Sequence, residues 1–323
     1  MAGLNALDCG TEVRNTGTTG CPLHFEAIKG AFLVPKGRVY TQAELATPES
    51  LRAALAADII AVKSSRIFPL HGFEAITDNT EDPTFQTMAS GRQVPIREGN
   101  YNWIMQYYDG GLCLSNKLRS FKNNTGYAAL FYDAAYKMAG TTKTASDGKP
   151  GMAGVPLEVL YPFPWKVNDF SNAPIYRIQF SFKPNYINED IAYVDAGFNL
   201  DELSGLININ LEVTGTPTGG VYQVLPLVGC DKSNLTELYS TLLADEALWV
   251  LSNATTGASV AVTGATYNAT LGTIAVAADT ADADYTAITA TGKIRINMVS
   301  ASALDAADIS GYEAIPVDVV RGA

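Results

Sequence analysis

The fold is decided by residues 175–182, which read Ile-Tyr-Arg-Ile-Gln-Phe-Ser-Phe. In this stretch apolar side chains alternate with Arg, Gln and Ser, and a period of two is the pattern of a strand with one buried face. Residues 101–108 (Tyr-Asn-Trp-Ile-Met-Gln-Tyr-Tyr) carry three aromatic rings on one alternate face and that of Tyr108 on the other, as in a strand that is covered on both sides. Further apolar runs occupy 127–132 and 155–161. The chain is therefore predicted to be mainly β.

One segment has the opposite periodicity and predicts a helix. Thr47 is suited to cap it and Pro48 to occupy its first turn. Leu51, Leu55 and Ile59 follow at four-residue spacing, which places them on one side of the helix. We expect this apolar stripe to pack on a sheet.

Two segments lack a clear period. Residues 1–25 are rich in Gly, Thr and Asn and are predicted to form an extended arm. Residues 140–154 combine Gly, Thr, Lys, Ser and Asp with few large apolar side chains. A segment of that composition buries little apolar surface, so we expect an exposed, mobile loop.

The charge distribution divides the chain into two predicted domains, residues 1–200 and 201–323. The second holds 14 acidic and 4 basic residues, a net charge of -10, against -1 for the first. Within it, 206–213 and 221–228 are predicted to form a hairpin, and 235–248 a helix capped by Ser233 or Asn234. Short strands every eight to ten residues after that helix predict a small β-sandwich.

The composition excludes several functional classes. The chain has 323 residues, a net charge of -11 and only 17% charged residues, against about 25% in typical soluble domains. Such an acidic balance argues against binding to a phosphate backbone. No signal peptide and no membrane-spanning run is expected. The four cysteines are widely spaced, which predicts reduced, mostly buried thiols.

Catalytic signatures are missing from the sequence. Cys9, Cys21 and His24 form three candidate zinc ligands, one fewer than a structural zinc site requires, and His71 is isolated. The chain contains no nucleophile elbow, Walker A loop or dinucleotide fingerprint. We therefore predict no catalytic, cofactor-binding or metal-binding residues, no cofactor, and a protein that is not an enzyme.

Four further clusters carry polar or aromatic side chains. Each is expected to be structural: the acidic groups as solvated loops, the aromatic run as a pin for its loop, and the basic group as a solvated face or subunit rim. They are Asp279, Asp282 and Asp284; Asp78, Glu81 and Asp82; the run from Tyr161 to Trp165; and Lys117, Arg119 and Lys122 beside Phe121.

The stretch from Phe73 to Tyr132 presents a characteristic order of features. These are an acidic turn at Thr80-Glu81-Asp82, a strand, Gly91, a strand ending at Trp103 to Tyr108, Gly110-Gly111, Leu118-Arg119-Ser120-Phe121, and Tyr127 to Asp133. In this order the stretch resembles the tail tube proteins of long-tailed bacteriophages.

The resemblance implies a β-sandwich or barrel with a flanking helix and a long mobile loop, roles that 48–60 and 140–154 would fill. Subunits of that family stack as rings, usually hexameric, around a channel for DNA. Residues 201–323 would then resemble the immunoglobulin-like domains often appended to such subunits. The implied partners are sister copies, other tail proteins, and genomic DNA that passes without specific binding. The implied location is the virion tail, after synthesis in the bacterial host cytoplasm.

Other interpretations stay open from the residues alone. A head-decoration or fibre-base protein of a virion would share this composition. A carbohydrate-binding or adhesive module would use the rings between Tyr161 and Trp165, and a metal-dependent hydrolase would need a bound metal.

Overall fold

The computed structural model describes residues 5–6, 26–108, 111–166, 175–188 and 190–322. Strands account for 45% and helices for 16% of the structure, so the mainly-β prediction is confirmed. The chain forms two compact units that divide between Ser204 and Gly205, with Ile60–Val62 grouped with the second unit. The predicted division lay at 200/201.

The first unit contains most of the strands. They are β1 (Asn5–Ala6), β2 (Ile28–Pro35), β3 (Val39–Tyr40), β4 (Phe68–Leu70), β5 (Ala75–Asp78), β6 (Thr84–Thr87), β7 (Gln93–Arg97), β8 (Tyr101–Tyr107), β9 (Tyr127–Asp133), β10 (Lys137–Thr144), β11 (Pro150–Ala153), β12 (Val155–Pro156), β13 (Val159–Pro162), β14 (Tyr176–Phe182) and β15 (Ile191–Asp195). The helices are α1 (Pro48–Ile60), α2 (Gly111–Arg119) and α3 (Asn185–Asn188), and a 3₁₀ turn spans Leu200–Glu202.

Two antiparallel sheets build the core of this unit. The larger has the order β1-β15-β10-β9-β2-β4, with β11 and β12 paired to its middle strands, and the smaller has the order β13-β14-β8-β5. Leu33 and Phe131 of the larger sheet share a buried cluster with Met105, Ile178 and Phe180 of the smaller. The alternation that decides the fold thus points β14 into the space between the sheets.

The flanking helix is confirmed in position and in the face that it buries. Thr47 Oγ1 accepts a hydrogen bond of 3.1 Å from the Ser50 backbone N–H, as expected of an N-cap. Leu51, Leu55 and Ile59 are the buried residues of α1.

The prediction of an exposed loop at 140–154 is wrong for the two ends of the segment, which are buried strands, and holds only for the exposed turn at 146–149. β10 and β11 form an antiparallel hairpin there, with Thr141 opposite Ala153. Gly140, Gly151 and Gly154 are buried. Because they lack a Cβ, neighbouring backbone and side chains approach them closely, and the low side-chain volume of the segment is what permits its burial.

The second unit is built from two sheets around one core. Its strands are β16 (Ile207–Thr218), β17 (Val221–Val228), β18 (Ser233–Asn234), β19 (Trp249–Asn253), β20 (Ser259–Val260), β21 (Val262–Asn268), β22 (Thr273–Ala278), β23 (Lys293–Met298), β24 (Tyr312–Ile315) and β25 (Val317–Val320). The sheet orders are β21-β22-β17-β16-β24 and β20-β19-β23-β25. Both sheets contribute to the same buried cluster, for example Tyr222 and Ile274 from one and Leu251 and Ile296 from the other. The immunoglobulin-like topology stays a prediction.

Local predictions for this unit fare differently. The β16–β17 hairpin is confirmed, with Ile209 opposite Val228. The long helix at 235–248 is wrong, because the segment forms only short turns: α4 (Thr236–Tyr239) and 3₁₀ turns at Leu242–Ala244 and Glu246–Leu248. Two other short helices, α5 (Ala283–Thr286) and α6 (Ala301–Ala306), lie between later strands.

The cysteines correct another expectation. Cys113 and Cys230 each take part in a disulfide bond instead of being reduced. Neither is buried: Cys113 is half-buried in α2 and Cys230 is exposed in the turn after β17. A cysteine in a surface turn contributes little to a core, so its burial preference alone was a poor guide. Cys9 and Cys21 lie outside the described residues.

Candidate interaction surface

A long two-stranded ribbon projects from the smaller sheet of the first unit. β5 pairs with β8, from Ala75 opposite Gln106 to Asp78 opposite Trp103. The same two chain segments stay paired beyond the sheet through the backbone bond from Glu81 N–H to Asn100 O, and continue as the β6–β7 pair. We refer to residues 79–99 as the ribbon. An arm of this length extends up to about 30 Å at ~3.3 Å per residue.

Two glycines shape the ribbon. Gly91 has a φ of +80° and lies at the tip, where its N–H donates to Met88 O over 2.8 Å. Gly99 lies at the base, where a Cβ would overlap the carbonyl oxygen of Glu81. The first glycine supplies a turn conformation that other residues adopt at a cost, and the second lets the two strands approach.

The ribbon is exposed along its length and carries large apolar side chains. Every residue from 76 to 98 is exposed except Val94, which is half-buried. Phe85, Met88 and Ile96 have exposed fractions of 54%, 47% and 62%. An isolated two-stranded hairpin is only marginally stable in water. Apolar side chains on such an element mark it as a surface for association.

The charge of the ribbon changes between base and tip. Residues 83–97, the ribbon tip, hold Arg92 and Arg97 and no acidic residue. Arg97 is paired with Glu81 at 2.7 Å, and both side chains are exposed. An exposed pair of this kind contributes about 0.2–1 kcal/mol, so it does not prevent Arg97 from meeting a partner.

A shallow depression lies at the base of the ribbon. It is lined by Arg97, Glu98, Asn100, Glu158, Lys183, Pro184 and Asn185. Glu158 accepts from Asn100 Nδ2 at 3.2 Å and lies 3.6 Å from Lys183 Nζ. These groups already satisfy one another, so the depression offers little unpaired charge to a small ligand.

A polar cluster in the first unit contains the histidine that the sequence left isolated. His71 Nδ1 lies 2.5 Å from Tyr132 Oη, and His71 Nε2 lies 2.8 Å from the carbonyl oxygen of Leu203. Tyr132 donates to Asp201 Oδ1 over 2.7 Å, and Lys29 forms an ion pair with the same carboxylate. Both ring nitrogens of His71 are engaged, so the cluster fastens the 3₁₀ turn at Leu200–Glu202 to the larger sheet.

The protonation states of this cluster follow from burial and pairing. Burial lowers the pKa of His71, with partial opposition from the Leu203 carbonyl and Asp201. Burial alone would raise the pKa of Asp201, but hydrogen bonds from Lys29 and Tyr132 outweigh it and hold that pKa below its ordinary value. Burial therefore disfavours the charged imidazole, and the hydrogen bonds to Asp201 favour its ionised carboxylate.

The acidic clusters act as turn caps. Asp282 accepts from the backbone N–H groups of Asp284 and Ala261, and Asp279 accepts from that of Ala281. Asp78 likewise accepts from Thr80. Within the described part of the chain, no group of three or more His, Cys, Asp or Glu side chains is arranged to hold a metal ion. Cys9, Cys21 and His24 fall outside that part.

The aromatic run is half-buried at Tyr161 and Phe163 and exposed at Trp165. Lys122 Nζ lies 5.3 Å from the centre of the Tyr161 ring, and the Arg177 guanidinium lies 4.7 Å from that of Phe163. Trp165 is 40% exposed. Because cations occupy two of the three rings, the run does not present the broad apolar face that stacks on a sugar.

No helix in the described residues combines the length and apolar character needed to cross a membrane. The sequence predicts a strand on each side of Gly91, but it does not predict that this strand pair leaves the sheet. Pro83 and Pro95, which cannot donate to a ladder, were the available signal against a central strand. Comparisons with family models, with curated proteins and with solved structures find no match to this chain.

Proposed function

We propose that the chain is a structural subunit that assembles with copies of itself, and specifically a tail tube subunit of a long-tailed bacteriophage. In this proposal the subunits form stacked rings around a channel for DNA, in the virion tail, after synthesis in the host cytoplasm. The observation that carries the proposal is the ribbon, with Phe85, Met88 and Ile96 exposed on a two-stranded arm.

A lone subunit leaves the apolar side chains of the ribbon in contact with water. Full burial of one large apolar side chain contributes about 1.5–3 kcal/mol. The three ribbon side chains are roughly half exposed in the single chain, so a partner surface could gain about half of that amount from each. The three side chains together would contribute about 2–4 kcal/mol per contact, which offsets part of the roughly 4–15 kcal/mol that association costs.

The shape of the ribbon bears on the kind of assembly. An arm that inserts into a different surface of its neighbour makes a heterologous contact. Heterologous contacts produce closed rings when the rotation between neighbouring subunits divides a full turn, and open filaments when it does not. A tail tube requires contacts between the subunits of one ring and further contacts between stacked rings.

The charge balance is compatible with a DNA channel that does not retain its cargo. The net charge is -11, and only 17% of residues are charged. Acidic surfaces repel a phosphate backbone and release no counterions, so DNA that passes them is not bound.

The test is the assembly state of the full chain over a concentration series, measured by analytical ultracentrifugation and negative-stain microscopy. We expect wild type to form rings or tubes, and the triple variant Phe85→Ser, Met88→Ser, Ile96→Ser to stay monomeric. Val250→Ser is the matched control, because Val250 is 40% exposed on a strand of the second unit. A wild type that remains monomeric at the highest concentration, or a triple variant that assembles normally, overturns the proposal.

A further inference from the structure

A second exposed apolar surface lies at one end of the second unit. Leu238 and Leu271 have exposed fractions of 72% and 57%, and Leu242 and Tyr267 of 38% and 37%. We call these four residues the acceptor patch. Solvent exposure of four large apolar residues at one end of a small sandwich is a mark of an interaction surface.

The acceptor patch is supported by a hydrogen-bonded frame. Asn234 Nδ2 and Thr236 Oγ1 both donate to the carbonyl oxygen of Gly272, over 2.8 Å and 3.1 Å. These bonds tie the turn that carries Leu238 to the β21–β22 turn that carries Leu271. Tyr267 belongs to β21, against which the Leu242–Ala244 turn packs. The four side chains are therefore held by preformed structure, which limits the entropy lost when a partner binds.

The surroundings of the acceptor patch are acidic. Residues 233–292 contain six acidic and no basic residues. Three of the six, Glu237, Asp245 and Glu246, are exposed in the segment that carries Leu238 and Leu242. A partner surface that combines apolar side chains with positive charge would complement this patch.

The ribbon tip has that combination. It presents Phe85, Met88 and Ile96 together with Arg92 and Arg97, and it contains no acidic residue. Arg92 lies directly opposite Met88, whose backbone N–H donates to Arg92 O over 2.8 Å. Arg92 and Met88 thus lie together at the turn of the ribbon, whereas Arg97 lies toward its base, where it pairs with Glu81.

We propose that the ribbon tip of one copy docks on the acceptor patch of a second copy. Apolar side chains meet apolar side chains, and Arg92 and Arg97 face Glu237, Asp245 and Glu246. The inference rests on the proposed self-assembly and names the surface that receives the ribbon. Because the two surfaces differ, each copy donates one ribbon and accepts another, which propagates the assembly.

The first test removes the apolar part of the acceptor patch in the full chain. Leu238→Ser with Leu271→Ser should raise the concentration at half-assembly by at least about ten-fold, which corresponds to 1.4 kcal/mol. The Val250→Ser control should leave it unchanged, and circular dichroism with thermal unfolding should show that both variants are folded. If the patch variant assembles like wild type while the ribbon triple variant does not, this inference is overturned and the proposed self-assembly stands.

The second test mixes two disabled chains. The ribbon triple variant retains its acceptor patch, and the patch variant retains its ribbon, so an equimolar mixture should form a heterodimer that neither forms alone. Ultracentrifugation of the mixture detects the dimer. A mixture in which both proteins stay monomeric contradicts the inference.

The third test reverses the charges of two exposed residues, which leaves the packing of the core unchanged. Arg92→Glu and Glu237→Arg should each weaken assembly, and the double variant should recover most of the loss. Both sites are exposed, so neither change should disturb folding. Independent, additive losses in the double variant would show that the two residues do not meet. If wild type itself never assembles, the proposed function fails together with this inference.

Discussion

Two hairpins of the first unit differ from what their compositions suggest. The one made of small and polar residues packs against its neighbours, and the one with large apolar residues is exposed to solvent. The β10–β11 hairpin is rich in Gly, Thr and Ala; its base, residues 138–141 and 151–153, is buried, and its turn is exposed. The β6–β7 hairpin carries Phe85, Met88 and Ile96, and it is exposed. The difference shows that side-chain volume, as well as polarity, decides what a sheet can cover.

Small side chains permit the first hairpin to approach its neighbours. A Cβ on Gly140 would overlap the carbonyl oxygen of Ala153 and lie 2.6 Å from Leu130 Cδ2. A Cβ on Gly154 would lie 2.6 Å from Val34 Cγ2. The second hairpin has no such neighbours, because it extends past the end of the sheet that anchors it. Its apolar side chains are therefore available to another molecule.

The largest expected effect comes from adding one methyl group to the buried hairpin. Gly140→Ala should lower the free energy of unfolding by about 1–3 kcal/mol, because the backbone of Ala153 has to move. Chemical denaturation measures the loss. Gly37→Ala is the matched control, since a Cβ there meets nothing within 4 Å, and it should change stability by less than about 1 kcal/mol. Equal effects of the two substitutions would show that close packing does not hold the β10–β11 hairpin.

The same substitution in the exposed hairpin should act locally. Gly99→Ala places a methyl group against the carbonyl of Glu81, so the ribbon should separate at its base. Hydrogen exchange at the Glu81 amide should accelerate by about ten-fold, which corresponds to 1.4 kcal/mol of opening free energy. Global unfolding should change less, because the ribbon opens independently of the core. A global loss as large as that of Gly140→Ala would contradict this separation.

The smallest expected effect is a pH dependence of the free energy of unfolding, which arises from His71 in the packed part of the first unit. The folded state lowers the pKa of His71 below its ordinary value of 6.5. Its contribution to stability is therefore fully present above pH 6.5 and is lost as the pH falls from 6.5 through the lower pKa of the folded state, because the unfolded chain binds the proton more readily. The Asp201 carboxyl has its pKa lowered from 3.8 and titrates below this window.

The measurement compares wild type with His71→Gln at pH 7.5 and pH 5.5 by chemical denaturation. Wild type should lose more unfolding free energy between the two pH values than the variant, which has no proton to bind at this position. Identical losses in both proteins would show that His71 does not titrate in the folded state as its surroundings indicate.

Local pattern was sufficient to predict several elements of the fold. The α1 stripe, the alternation in β14 and the β16–β17 hairpin are confirmed because each depends on neighbours within a few residues. The 235–248 helix failed because Trp249 and the turns before it pack into the sandwich core. Trp249 Nε1 donates to Leu243 O over 2.8 Å, an interaction that no helical periodicity reveals.

The candidate site was less accessible to sequence reasoning. The apolar residues of the ribbon and of the acceptor patch look like core residues in a linear pattern. Their exposure depends on where a strand pair leaves its sheet and on where the β21–β22 turn meets Asn234. The disulfide bonding of Cys113 and Cys230 was equally hidden, since spacing alone does not define a pairing.

The sequence by itself determined the mainly-β class, the flanking helix and the acidic character of residues 201–323, because periodicity and charge are properties of neighbouring residues. The tertiary structure alone decided that the glycines Gly140, Gly151 and Gly154 are buried and that the Phe85 ribbon is exposed. Burial depends on which distant strands come together, and a local pattern carries no information about that choice.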